Sequence, residues 1–92
     1  MATYLMFGRY SPEALKGIGP RRTEKAAAAI KKCRGRLESG YALLGAQDLL
    51  LITEFAEMEH AMKASLELSR LTGIAFSTSP AVSVEAFDKL VG

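Results

Sequence analysis

From Arg36 to Phe55 the chain reads RLESGYALLGAQDLLLITEF, and Leu49 to Ile52 is an unbroken aliphatic run. A strand with one wet face alternates apolar and polar residues, whereas unbroken apolarity requires cover on both faces. Asp48–Phe55 is therefore predicted as a central strand. The preceding segment is mixed. Leu37, Tyr41 and Leu43 are expected on one side, with Glu38, Gly40, Ala42 and Leu44 on the other. Glu38, Ser39 and Gly40 weaken its start, as suits an edge strand. Gly45 supplies backbone freedom for a reversal, and Asp48 offers a carboxylate to turn amides. The two segments should form a hairpin over Gly45-Ala46-Gln47-Asp48.

Thr3 to Tyr10 is rich in β-formers and apolar on both sides, with Tyr4 and Met6 against Leu5 and Phe7, so a second central strand is predicted there. Ser11-Pro12-Glu13 reads as a helix start, with Ser as cap and Pro at the first helical position. Gly17, Gly19 and Pro20 should break that helix after one turn. A longer helix is expected from Pro20 to Arg34. Ala26, Ala29, Ile30 and Cys33 form its narrow apolar stripe, and Gly35 is placed for its C-terminal cap. Ala56 to Thr72 has the broadest helical pattern. Met58, Ala61, Met62, Ser65, Leu66, Leu68, Ser69, Leu71 and Thr72 lie on one face, and Gly73 is the stop. Ile74 to Ser79 alternates as a half-buried strand that Pro80 should end. Ala81 to Val84 is expected to be extended, and Glu85 to Val91 a last helical turn carrying Phe87 and Leu90.

The resulting order, β-α-β-β-α-β, is the split βαβ arrangement of ferredoxin-like α+β domains: a four-stranded antiparallel sheet with two helices on one face. The opposite face would be bare although its strands are apolar. A soluble monomer does not tolerate an exposed apolar sheet of that extent, and the simplest cover is an identical sheet in a two-fold homodimer. A homodimer is thus expected, with a higher oligomer as a further option.

Ninety-two residues make one expected domain, 1–92, near the lower end of the usual size range. One cysteine excludes an internal disulfide framework and favours a reducing compartment. MATYLMFGRY carries only a short apolar patch without a cationic leader, and no run approaches the roughly 20 apolar residues of a membrane span. A cytoplasmic protein is the expectation. The net charge of +2 is unevenly spread: Lys16 to Arg36 carries +7, and the chain from Leu37 onward −5. Such asymmetry can mark an anionic partner, but a solvated helix face explains it more simply.

The hairpin turn Gly45-Ala46-Gln47-Asp48, entered by Tyr41-Ala42-Leu43-Leu44 and left by Leu49-Leu50-Leu51-Ile52, resembles the signature of the GYD-domain family. Thr3-Tyr4-Leu5-Met6 and the Thr78-Ser79-Pro80 region are also similar, so the resemblance spans essentially the whole chain. Gln47 departs from the family's Tyr, and Gly45 and Asp48 are the matched positions. The resemblance implies a ferredoxin-like dimeric α/β barrel. That superfamily includes heme-degrading and quinone-forming monooxygenases, sensing domains of bacterial regulators and stress-response proteins.

Candidate chemistry is sparse. His60, the one histidine, falls on the polar side of its helix with no second ligand at metal spacing, so neither a metal nor a cofactor is expected. Cys33 belongs to an apolar stripe and reads as a buried thiol despite Lys32 and Arg34. No serine has the base and acid of an activated nucleophile, so no catalytic residue is assigned. Gly17-Ile18-Gly19 before Arg21 and Arg22 lacks a phosphate-loop pattern. No aromatic cluster of the RNA-binding kind lies on a central strand. The leading expectation is a non-catalytic homodimer, paired through the helix-free sheet face, that binds a small ligand or a partner. Arg9, Tyr10, Tyr41 and His60 are the candidate ligand-binding groups. A small monooxygenase, cofactor-independent or heme-type, is the alternative, and weak anion or nucleic-acid binding through Arg21, Arg22 and Lys25 is a third.

Overall fold

The computed structural model describes residues 1–92. Its elements run β1 (Ala2–Arg9), α1 (Pro12–Lys16), α2 (Pro20–Lys32), β2 (Gly35–Ala42), β3 (Leu49–Phe55), α3 (Met58–Thr72), β4 (Ala75–Ala81) and α4 (Val84–Val91). The strands form one antiparallel sheet in the order β2-β3-β1-β4, a ferredoxin-like α+β fold. The two apolar strands, β1 and β3, lie at its centre, where both of their faces can be covered.

The core lies between this sheet and α2 and α3. Tyr4 and Met6 of β1 and Leu51, Thr53 and Phe55 of β3 point toward the helices. They meet Ala26, Ile30 and Cys33 of α2 and Ala61, Ala64 and Leu68 of α3. The alanines let both helices approach the sheet closely. Tyr4 and Phe55 pack edge to face with ring centroids 5.9 Å apart. Thr53 is the one fully buried polar side chain, and its hydroxyl donates to the Tyr4 carbonyl at 2.9 Å. The alternate residues Leu5, Phe7, Leu50 and Ile52 occupy the helix-free face and are only half-buried. At one end of that face Arg36 pairs with Glu38 at 2.5 Å and with Glu54 at 3.0 Å.

Four local expectations give way to tertiary packing. Gly35 does not cap α2. Arg34 takes the left-handed conformation (φ 65°), and Gly35 opens β2 because a Cβ there would overlap the buried Phe55 ring. The alternation of β2 breaks at a bulge between Leu37 and Ser39, so Leu37 pairs with Thr53 on the core side and Tyr41 with Leu50 on the helix-free side. Pro80 does not end β4. It pairs with Tyr4 inside an edge strand, where the amide it lacks has no neighbouring strand to serve. Of the broad apolar face expected for α3, only Ala61, Ala64 and Leu68 are buried, while Met58, Met62, Leu66 and Leu71 stay exposed.

Other signals match the observed structure closely. Ser11 caps α1 through a bond from the Ala14 amide at 3.0 Å. Gly73 ends α3 in the left-handed region (φ 75°), its amide donating to the Ser69 carbonyl. α4 spans two turns, capped by Ser83, yet none of its residues is buried.

The molecule is not compact for its size. Its radius of gyration is 13.5 Å, against about 12 Å for a domain of this length. Its accessible surface is 6404 Å², against about 5,200 Å² for a monomer of this mass. No helix is long and apolar enough to cross a membrane.

Candidate functional site

A cavity of about 370 Å³ opens at the end of the sheet where α2 begins. Its floor is Leu49, Leu51, Leu37 and Phe76, with Ile74 and Thr72 beyond β4 and Gly40, Tyr41 and Ala42 along β2. Ile18, Gly19, Arg22, Thr23 and Ala26 form the opposite wall, and Tyr10 stands at the mouth. The lining is mostly apolar, with one cation and a few hydroxyls. No carboxylate, imidazole or thiol lines it. This composition suits a ligand held by surface burial and oriented by a few polar contacts.

Arg22 is fixed by its surroundings. Its guanidinium carbon lies 5.1 Å from the Tyr10 ring centroid, a cation–π arrangement. One guanidinium nitrogen donates to the Ala14 carbonyl at the end of α1. The break at Gly17 is part of this seat, since a Cβ on Gly17 would come within 3.2 Å of the same guanidinium. Of the five N–H donors of the fork, the carbonyl takes only a share, and the rest are free to meet an acidic group.

Asp48 reaches the site from behind. The sequence suggests a carboxylate capping its own turn. Instead Asp48 Oδ2 accepts from the Tyr10 amide at 2.8 Å, 38 residues away. The Asp48 amide donates to the Gly8 carbonyl at 2.8 Å, and its carbonyl accepts from Leu43 at 2.9 Å. The reason is register: β3 runs beside β1 up to the Gly8–Leu49 pair, so residue 48 faces the chain just past β1. Asp48 thus binds the hairpin to the segment that carries Tyr10. Gly45 serves the turn itself, with φ 149°.

The other sequence candidates scatter. Arg9 lies exposed at the end of β1, paired with Ala75. His60 is half-buried on α3, and its Nδ1 has no hydrogen-bond partner. Arg21 and Lys25 are exposed on α2, outside the cavity wall. Tyr10 and Arg22 are brought together, whereas Tyr41 borders the cavity along β2 but pairs with Leu50 on the helix-free side. Arg22 and Tyr10 are twelve positions apart, and no helical or strand period links them, so the sequence carries no signal that joins them. Cys33 is buried and unbonded. No three of the His, Cys, Asp and Glu side chains converge on a point that could hold a metal ion.

A model of the GYD domain matches residues 4–91. No curated protein matches the sequence. Among solved structures, the leucine response regulatory protein of Mycobacterium tuberculosis superposes with a TM-score of 0.59 at 10% identity, over 89% of this chain and 51% of its own. A crystal structure of a glutamate-to-alanine mutant superposes with a TM-score of 0.59 at 11% identity, over 89% of this chain and 50% of its own. The chain therefore spans about half the length of either neighbour, and the likeness is one of fold.

Proposed function

The chain belongs to the GYD-domain family, and on that footing we propose that residues 1–92 act as one self-pairing domain that binds a small, largely apolar molecule bearing an acidic group. The cavity between α2 and the sheet carries this reading, with Arg22 held at its wall by Tyr10 and Ala14. The apolar floor supplies burial and the guanidinium selects the anionic end. Self-pairing is supported by the row Leu5, Phe7, Leu50 and Ile52 on the helix-free face. Two such sheets stacked about 10 Å apart would take these residues out of water.

The monooxygenase reading draws support from the same cavity, whose size is sufficient and whose mouth carries Tyr10. Plain binding accounts better for a wall without a carboxylate or imidazole to move a proton.

Octanoate is a suitable probe, being aliphatic with a single carboxylate. Titrated into isotopically labelled protein, it should shift the amide resonances of Tyr10, Arg22, Leu37 and Ile74. Ala42→Trp, which plugs the wall, should abolish those shifts, and Arg22→Gln should weaken them. Shifts confined to Leu5, Phe7 and Leu50, or none at millimolar octanoate, would remove the basis for the proposal.

A further inference from the structure

α4 is amphipathic and has nothing to pack on. Val84, Phe87, Leu90 and Val91 share one side of it, at helical spacing, and all are more than half exposed. It makes no extensive contact with any other element. A two-turn helix gains little from propensity alone and depends on burying its apolar face.

A second unpaired surface lies on the outer flank of α3. Met58, Met62 and Leu66 recur every four residues and are each more than half exposed. With Tyr4, Ala61, Ser65, Thr78 and Pro80 they line a groove of about 420 Å³ above the edge strand β4. From Met58 to Leu66 the groove runs about 12 Å along α3, the length of an eight-residue helix. Methionines adapt their shape to an incoming apolar surface.

We propose that α4 of one protomer lies in the α3–β4 groove of a second copy, and that the exchange is reciprocal. Three observations favour a second copy over the molecule's own groove. Only Val82 and Ser83 join β4 to α4. Ser83 is extended (φ −65°, ψ 155°) and already engaged as the cap, and α4 leaves its own groove empty. Donor and acceptor also share one edge of the sheet. The arm springs from β4 just past Pro80, and Pro80 itself lines the groove, so a two-fold axis beside that edge would let both arms cross at once. Finally, each protomer exposes roughly 1,200 Å² more than a compact monomer of its mass, based on its 6404 Å² of surface. A standard interface takes about 800 Å² per partner. The surplus is enough for a stable dimer that includes the arm.

Exchange is read directly by cross-linking between two populations of the full chain, both in a Cys33→Ala background. One carries Phe87→Cys with an affinity tag, and the other carries Met62→Cys without one. After mixing and mild oxidation, a disulfide joining tagged to untagged chain is expected. The same tagged chain mixed with a Lys31→Cys chain should give almost none. Phe87→Asp with Leu90→Asp, both at positions exposed in the protomer, should leave the far-ultraviolet spectrum unchanged. It should raise the concentration for half-dissociation at least about tenfold. Absence of the mixed disulfide, its equal formation with Lys31→Cys, or closure of a Phe87→Cys/Met62→Cys chain on itself within a monomer would each overturn the proposal.

Discussion

Replacing Asp48 with alanine tests how the hairpin is tied to the cavity. The side chain makes one bond, Oδ2 to the Tyr10 amide at 2.8 Å, while the backbone bonds to Gly8 and Leu43 survive the change. A hydrogen bond to a charged acceptor contributes about 1.5–3 kcal/mol. Both partners here are half-buried, so water can partly replace the lost acceptor and the lower end applies. Asp48→Ala should therefore cost about 1.5 kcal/mol, a fall in Tm of roughly 6–12 °C for a chain of this length. Asp48→Asn keeps an acceptor oxygen without the charge and should restore about half of the loss. Urea unfolding of all three proteins at one fixed concentration gives the comparison, so that any self-association weighs equally on each. Hydrogen exchange at the Tyr10 amide should quicken in the alanine variant. If Asp48→Ala unfolds within about 0.5 kcal/mol of the parent, or if Asn is no better than Ala, the carboxylate is not what holds Tyr10 in place.

Gly35→Ala should lose about 2–3 kcal/mol by forcing a methyl into the Phe55 ring; recovery on adding Phe55→Leu would confirm the clash, and an unchanged urea midpoint for the single variant would refute it. Thr53→Val removes the hydroxyl bonded to the Tyr4 carbonyl at constant volume and should cost about 1 kcal/mol. A valine variant more stable than the parent would show that this buried bond contributes nothing. Phe7→Lys puts a charge in the middle of the helix-free face. Light scattering should then report a particle of 9.9 kDa with an intact far-ultraviolet spectrum, and an undiminished oligomer would place the interface elsewhere.

The arrangement of strands and helices was legible because strong local signals agreed with the packing. Unbroken apolar runs marked β1 and β3 as the inner strands, and Ser11 and Gly73 end helices by the chemistry their types suggest. The misreadings fall where a distant neighbour decides. Gly35 resembles a helix stop, but the ring of Phe55, twenty positions on, is what excludes a side chain there. The bulge at Leu37/Ser39 reverses the side on which Tyr41 lies, and no local residue announces it. The same holds for the cavity. Tyr10 is a candidate by residue type alone, but only the fold joins it to Arg22, and only the register explains why Asp48 answers to Tyr10. The spacing of apolar side chains on α3 predicts one broad face, and periodicity identifies a face without identifying what covers it.

The two outermost strands have a consequence for behaviour in crowded solution. Pro80 removes a donor from one rim of the sheet, and the irregularity at Leu37/Ser39, with charged Glu38, twists the other out of line. Neither rim offers the uninterrupted row of amides and carbonyls on which further chains could stack without limit. The protein can keep an apolar sheet face and still resist fibre growth, because neither rim templates a further strand.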